Sequence, residues 1–375
     1  MKKIFLVFML GLLVAAAGCK PKNHNAVPVA DGFNVPEVAD VVLYQVNPRV
    51  FAPSNSFQAI INRLDSIEDL GVNMLWIMPI YPIGEVKSKN SPYSVKNYKA
   101  VAPEYGTVDD LRMLVESCHE RGMGVILDWV ANHTAWDNVW VAEHPEWYTQ
   151  DKDGNIIYPP GTDWTDVADL NYAWEFMGAI ADVMKGDAKV GKLVEVDKHE
   201  YKDLDRNKFK LRFTTNHDEA TKASPVTLYG GPKASMAAFV ATTMLHGGML
   251  IYGSQEVGYP ETINFFHYVP VDWNANSAMR EEYKKLVAIY NEHPALRSSG
   301  KVVPFDDDEN NVLCVDRVLN NDNVLVIVNV RNEAHRINIP PMWQNRTANN
   351  LVTGEQIDLR TTVTLQPYQY LLLGK

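Results

Sequence analysis

Two short stretches of the chain place imidazole and carboxylate side chains directly after apolar runs. His133 follows the run Gly124–Val130, and His217 and Asp218 follow the run Lys210–Thr215. An imidazole N–H can donate a hydrogen bond to a hydroxyl group, and one carboxylate can accept bonds from two adjacent hydroxyls. These residue types are therefore compatible with a polyhydroxylated, neutral ligand such as a sugar ring, and capping of the loops is the alternative for each residue taken singly.

The apolar runs alternate with helical patterns in which one face is apolar. A β–α alternation of this kind predicts a parallel sheet with helices outside it, and spacings near 31 residues per unit fit a TIM-type (β/α)8 barrel. Polar residues directly after a buried parallel strand lie at the C-terminal rim of such a barrel, where ligands bind. The predicted strands are Val41–Val46, Val72–Ile80, Gly124–Val130, Lys210–Thr215 and Met249–Tyr252. The predicted helices start at Ser56, Thr107, Trp174, Lys233 and Ala278.

From about Ser299 the apolar pattern changes to a period of two. Val312–Val318 and Val324–Val330 flank four Asn and Asp residues, which predicts a β-hairpin. The predicted fold is an α/β chain, an incomplete (β/α)8 barrel of about five clear strands, followed by a C-terminal antiparallel β-sandwich domain. The predicted divisions are a signal peptide (1–18), a flexible tether (19–40), the truncated barrel (41–299) with a long loop (134–168), and the β domain (300–375).

The N-terminus has the features of an export signal. Lys2 and Lys3 precede the short apolar run Ile4–Val14, and small residues then lead to Cys19. Small residues directly before a cysteine predict lipidation at Cys19 and an exported, membrane-anchored lipoprotein, periplasmic or on the cell surface. A plain cleaved secretory peptide is the alternative.

The composition excludes some classes of partner and of cysteine chemistry. The formal net charge is −11, which argues against nucleic-acid binding because phosphate contacts need clustered Lys and Arg. Cys118 and Cys314 are far apart in sequence and lack metal-ligand spacing, so two buried free thiols are predicted. The stretch Asp151–Asn155 places its glycine fourth rather than sixth, so we interpret it as a turn rather than a calcium loop.

Four motifs in order closely resemble those of the α-amylase family of glycoside hydrolases. They are SPYSVKNY (91–98), DWVANH (128–133), VADLNY (167–172) and FTTNHDE (213–219). The strand ends YQVNPRVF, LWIMPIYP and LIYGSQEVG look like that family's first, second and eighth strands, and the C-terminal β domain lies where the family has one. The resemblance covers nearly all of the chain from Asp40 onward and implies an α-glucan, such as starch or a maltooligosaccharide, as the ligand.

The resemblance also implies roles for individual residues. Asp218 matches the residue that orients and strains the substrate at the cleavage subsite, and His133 and His217 match residues that contact the same sugar. Tyr93 matches the stacking tyrosine. Asn132 and Asp169 match residues that hold a calcium ion in many members.

The sequence departs from the family where the chemistry requires two more carboxylates. The family's nucleophile is an Asp in a G-x-R-x-D stretch, and its acid is a Glu after the fifth strand; neither is found between Tyr172 and Phe213. A complete barrel needs roughly 110 residues between its third and seventh strands, whereas Gly124 and Lys210 are 86 positions apart and the long loop Thr134–Ala168 takes about 35 of these. We therefore expect an internal deletion of roughly 60–80 residues, estimated from the usual length of a β–α unit.

Three consequences are expected from such a deletion. Hydrolysis by the family mechanism should be absent, because one carboxylate cannot serve as both nucleophile and acid. Asp128 should lose the arginine that the family's missing stretch supplies, which raises its pKa or directs it to another donor. The sheet should have two exposed edges.

Three functional alternatives remain open at the level of sequence. The first is an active α-glucan hydrolase with substitute carboxylates such as Glu175 or Asp169. The second is a non-catalytic starch-binding lipoprotein. The third is a damaged descendant, or a mis-assembled gene, of an ordinary lipoprotein amylase.

Overall fold

The computed structural model describes residues 33–86, 88–130, 134–143, 174–202, 210–297, 299–305, 307–308 and 310–375. The predicted signal and lipidation site at Cys19 lie outside these residues, as do Asn132, His133, Asp169 and the turn predicted at Asp151–Asn155. Across the described ranges, no helix combines the length and the apolar character that a membrane span requires.

Five parallel strands form the sheet of the N-terminal domain. They are β1 (Val42–Val46), β2 (Met74–Ile77), β3 (Gly124–Leu127), β4 (Leu211–Arg212) and β5 (Gly248–Tyr252). Their order is β3-β2-β1-β5-β4, so the first and last strands in chain order lie in the interior and β3 and β4 lie at the edges. The five predicted strands are confirmed, and the described sheet is an open segment of a barrel.

Helices follow and flank these strands. They are α1 (Pro48–Phe51), α2 (Ser56–Ile61), α3 (Leu64–Glu68), α4 (Val108–His119), α5 (Val139–Glu143), α6 (Trp174–Lys185), α7 (Gly191–Tyr201), α8 (Pro225–Leu228), α9 (Pro232–Thr243) and α10 (Ser277–Glu292). The helix predicted from Ser56 is broken, because the Arg63 N–H bonds the Ile60 carbonyl three residues back and tightens the chain there. Helix α4 begins with the expected capping box of Thr107 and Asp110.

A side chain of α6 packs on the inner face of the sheet. Met177 belongs to the same buried cluster as Leu43, Trp76, Phe213 and Leu250, which are contributed by four strands or their ends. In a complete barrel, the inner face is filled by side chains from all eight strands. Helix α6 therefore fills part of the space on the inner face that further strands would fill.

The C-terminal domain is a sandwich of two antiparallel sheets. Its strands are β6 (Lys301–Pro304), β7 (Val312–Leu319), β8 (Asp322–Asn329), β9 (His335–Asn338), β10 (Arg346–Asn350), β11 (Gln356–Leu359), β12 (Thr362–Leu365) and β13 (Tyr370–Gly374). Six strands form one sheet in the order β11-β10-β13-β8-β7-β6, and β12 pairs with β9. Leu325 and Leu371 of the larger sheet share a buried cluster with Ile337 and Leu365 of the smaller one, which confirms the predicted sandwich.

Two further sequence predictions are confirmed in this part of the molecule. The hairpin between β7 and β8 turns at Asn320, whose φ of 54° is tolerated by asparagine. Cys118 and Cys314 are both buried, and neither forms a disulfide bond.

Two arginines hold the sandwich against the barrel segment. Arg317 on β7 is fully buried and donates hydrogen bonds to the carbonyls of Met244, Leu296, Arg297 and Gly300. Arg331 donates to the carbonyls of Val183 and Ala188 near the end of α6. Each arginine therefore links loops or helix ends of one domain to a strand or turn of the other.

Candidate functional site

His217 lies fully buried just beyond the end of β4, and Gln45 of β1 holds it from two sides. The Gln45 Oε1 atom accepts the backbone N–H of His217 at 3.2 Å, which leaves the Gln45 amide nitrogen facing His217 Nδ1 at 2.7 Å. Since that amide can only donate, Nδ1 accepts and the proton of the neutral ring is placed on Nε2. Burial lowers the pKa of His217, and the nearby charge of Asp218 opposes this shift.

Tyr93 stacks on His217 and continues its hydrogen-bond chain. The two ring centroids are 5.5 Å apart with an angle of 25° between the planes. His217 Nε2 lies 3.0 Å from the Tyr93 hydroxyl, and that hydroxyl donates to Asp128 Oδ2 at 3.2 Å. A tight turn positions the ring, since Ser91 Oγ accepts the Tyr93 N–H. The result is a chain of donors running from His217 through Tyr93 to Asp128.

Asp128 follows β3 and has hydroxyl and indole donors as neighbours. Burial raises the pKa of this carboxyl to about 6; hydrogen bonds from Tyr93 and Trp76 oppose the rise, and the charge of Asp218 adds to it. Asp128 thus has both features expected of it as alternatives, a raised pKa and another donor, the Tyr93 hydroxyl. Within the described ranges, no lysine or arginine forms an ion pair with Asp128, which is why burial dominates.

Asp218 is the more exposed carboxylate of the site. Its side chain is 34% exposed, and its Oδ2 atom lies 3.6 Å from His217 Nε2. The Asn216 side-chain oxygen accepts the backbone N–H groups of both Asp218 and Glu219 at 3.0 Å. This cap fixes the turn after β4, so that His217 is buried and Asp218 stays partly open to solvent.

Further side chains complete the enclosure of His217. The Phe265 ring, in the segment between β5 and α10, meets both Tyr93 and His217 edge-on, at 6.1 and 5.9 Å. The Trp76 ring of β2 meets His217 at 6.1 Å. Sequence reasoning did not identify Gln45, Trp76 or Phe265 as site residues. Only Gln45 carried a signal, as a lone polar residue in an otherwise apolar strand.

The structure brings together three of the residues predicted for this site, namely Tyr93, His217 and Asp218, and adds Asp128 to them. Glu175, considered as a substitute catalytic carboxylate, lies on α6 and pairs with His199 of α7 at 2.9 Å. Glu175 therefore pairs with a residue on the surface of a neighbouring helix and does not contact the described residues of the site.

A metal site is not formed by the described residues. In the ranges that the structure describes, no three His, Cys, Asp or Glu side chains cluster in a way that could hold an ion. Because Asn132 and Asp169 lie outside those ranges, the calcium site expected from them stays a prediction.

The architecture and the site together define a class of protein, an α/β barrel-type chain with a histidine–tyrosine–carboxylate cluster at its C-terminal rim and an appended β-sandwich. Residues 45–177 match the family model described as the catalytic domain of alpha amylase. Over this segment, about a third of the chain, the sequence matches the α-amylase family of glycoside hydrolases.

Curated relatives match over short segments. The chain is 41% identical over 109 residues to the probable oligo-1,6-glucosidase 2 of Bacillus subtilis, a match that covers 28% of this chain and 19% of that protein. It is 29% identical over 165 residues to alpha-amylase 3 of Dictyoglomus thermophilum, covering 38% and 32%. The matched segments thus span about a fifth to a third of the length of these relatives.

Solved structures match over most of the chain. An alpha-amylase from Lactobacillus plantarum superposes with a TM-score of 0.80 at 22% identity, covering 90% of this chain and 99% of the other. The maltogenic alpha-amylase AmyB from Thermotoga neapolitana gives 0.79 at 18% identity, covering 91% and 99%. At these identities the likeness establishes the fold.

Proposed function

We propose that the protein binds α-glucan chains at the His217–Tyr93–Asp218 cluster and does not cleave them. The proposal is carried by one observation, the stacked Tyr93 and His217 rings with the partly exposed Asp218 carboxylate beside them. The partly exposed Asp218 carboxylate can accept hydrogen bonds from two adjacent hydroxyls of one sugar ring, and the buried Tyr93 and His217 rings lie next to it. The family supplies the class of ligand, since the relatives' names are those of glucosidases and amylases.

The absence of cleavage is argued from the carboxylates. A retaining glycosidase needs a nucleophile and an acid about 5–5.5 Å apart across the bond. Among the described residues, Asp128 lies beside Asp218, but it is held by the Tyr93 hydroxyl. The segment that would supply a family nucleophile is absent from the sequence, in which no G-x-R-x-D stretch occurs between Tyr172 and Phe213.

Titration of the purified protein with maltoheptaose tests the binding half of the proposal. Wild-type protein should release heat on binding, and Tyr93→Ala or Asp218→Ala should weaken the affinity at least tenfold, or about 1.4 kcal/mol. Tyr268→Ala is the matched control, because Tyr268 is an exposed aromatic residue outside the cluster. Equal binding by all variants would place the ligand elsewhere, and no binding by the wild type would end the proposal.

We also propose that the gene has lost an internal segment and that the protein carries a lipid anchor. An in-frame deletion of roughly 60–80 codons, the length expected from the family's barrel, would explain the short interval between β3 and β4. Re-sequencing of the locus tests this, since recovery of the missing codons would show a gene-assembly error instead. For the anchor, mass spectrometry of the mature N-terminus should find acylated Cys19, and an unmodified N-terminus would refute it.

A further inference from the structure

We propose that Arg49 is a positioning residue that holds Tyr93 and Phe265 in place on either side of His217. As a statement about sugar binding, this rests on the proposed function. As a statement about ring geometry, it does not depend on any ligand. Arg49 lies on α1, directly after β1, and is distinct from the residues that contact the ring stack of Tyr93 and His217.

The Arg49 guanidinium joins two loops that are far apart in sequence, one at Asn90 and the other at Phe265 and Phe266. Its Nη1 atom donates to the carbonyls of Asn90, Phe265 and Phe266 at 2.9, 3.1 and 2.8 Å. Its Nη2 atom donates to the Asn90 side-chain oxygen at 3.3 Å and pairs with Glu104 at 3.2 Å. The Arg49 side chain is only 8% exposed, so these bonds form away from solvent.

Asn90 also joins the two loops, and we call Arg49 and Asn90 together the clamp. Its backbone has a φ of 62°, in the left-handed region that asparagine tolerates, and its amide nitrogen donates to the Phe266 carbonyl. Asn90 and Arg49 therefore both bond the segment of Phe265 and Phe266. The two loops are tied to each other as well as to α1.

Each clamped loop carries one ring of the site a few residues away. Tyr93 is three residues beyond Asn90 and stacks on His217, and the clamp bonds Phe265 itself through its carbonyl. The Phe265 ring approaches both Tyr93 and His217 edge-on. Loss of the clamp should let these two rings move relative to His217. The bond from the Tyr93 N–H to Ser91 Oγ would remain, but it lies within one loop and does not fix that loop against the segment of Phe265.

A lysine at position 49 would keep the positive charge but could not bond all of these acceptors. Comparing Arg49→Lys with Arg49→Met therefore separates the effect of geometry from the effect of charge. The guanidinium bonds several acceptors at fixed angles with its planar fork, whereas an ammonium group offers one point charge with three donors. Arg49→Lys keeps the pair with Glu104 and should lose part of the carbonyl network. The effect on the rings should therefore fall between those of the wild type and Arg49→Met.

The test uses the unliganded full chain with labelled histidine side chains. The His217 signal is assigned from the signal lost in His217→Asn, and its chemical shift reports the ring currents of Tyr93 and Phe265. We expect Arg49→Met to shift this signal, Arg49→Lys to shift it less, and maltoheptaose affinity to fall at least tenfold in Arg49→Met. Arg331→Met is the matched control, since Arg331 also clamps backbone carbonyls but near α6.

The outcomes separate this inference from the proposed function. If Arg49→Met does not fold, Asn90→Gly keeps the left-handed backbone without the amide and should shift the same signal. An unchanged His217 signal in a folded Arg49→Met or Asn90→Gly protein overturns the inference, as does an equal shift in Arg331→Met. A shift without any maltoheptaose binding by the wild type supports the clamp and refutes glucan binding.

Discussion

Asp128 lies half-buried after the end of β3, at the start of the motif DWVANH. Its hydrogen-bond partner is a tyrosine hydroxyl rather than a guanidinium, and burial raises its pKa to about 6. The carboxyl therefore loses its proton near neutral pH with little compensation from its surroundings. The cost of that ionisation should appear as a pH-dependent loss of stability.

The pH dependence of unfolding tests this at Asp128. The pKa of Asp128 is about 6 in the folded state, whereas an aspartate free of such burial has a pKa of 3.8, so the folded state binds the proton more tightly between these pH values. Stability should therefore fall as pH rises from about 4 to 6. Asp128→Asn should remove this fall and gain about 1–2 kcal/mol at pH 7.5, after allowance for partial exposure. Urea unfolding at pH 4 and 7.5 measures it, with Asp187→Asn, an exposed carboxylate, as control. Equal pH profiles for wild type and Asp128→Asn would contradict the account.

Residue-level prediction from the sequence succeeded where a motif fixes both identity and position. Tyr93, His217 and Asp218 meet as expected because each directly follows a strand or lies in the loop after one. Phe265 could not be predicted, since it lies in an irregular segment far from any motif and reaches the site through the clamp at Arg49. Hydrogen bonds to backbone carbonyls leave no pattern in the sequence.

At the scale of elements, the exposed edge strand β3 is the main consequence of the incomplete sheet. Ile126, Leu127 and the following Trp129 are 43%, 38% and 70% exposed, although a strand inside a barrel would be covered on both faces. An apolar edge strand is a template for pairing with another chain. We therefore expect the protein to self-associate as its concentration rises.

A charged residue on the edge should reduce that association. Leu127→Lys is expected to lower light scattering at high concentration, because a lysine on an edge strand disfavours pairing. Val139→Lys is the matched control, since Val139 is 50% exposed but lies on α5 and not on a strand. The edge account fails if both variants lower the scattering equally, or if the wild type stays monomeric throughout.

Strands and helices could be predicted from the sequence where their buried residues form an uninterrupted apolar pattern. Apolar runs such as β1 and β5 were identified because five consecutive buried residues leave a clear pattern. Helix α7 was missed, because its charged residues obscure the buried positions Leu193 and Val196. Its Asp197 pairs with the buried Arg212 of β4 at 2.6 Å, a contact between two elements 15 residues apart that no local pattern indicates.

At the scale of the molecule, Arg317 is the principal polar tie between sandwich and barrel segment. Burial lowers its pKa to about 10, so it remains charged at pH 7 and bonds four carbonyls. Arg317→Met should cost about 3 kcal/mol or more, because it leaves several buried acceptors without donors. Chemical unfolding measures this, with the exposed Arg336→Met as control. A loss no larger than that of the control would show that apolar contacts alone hold the domains together.

The central claim is that a sugar-binding rim persists in this chain without the carboxylate pair that breaks the glycosidic bond. The most direct measurement is chromatographic analysis of maltoheptaose after prolonged incubation with purified protein, beside a buffer blank and Asp218→Asn. The account predicts intact maltoheptaose in all three samples. Glucose or maltose released by the wild type, and not by Asp218→Asn, would contradict it.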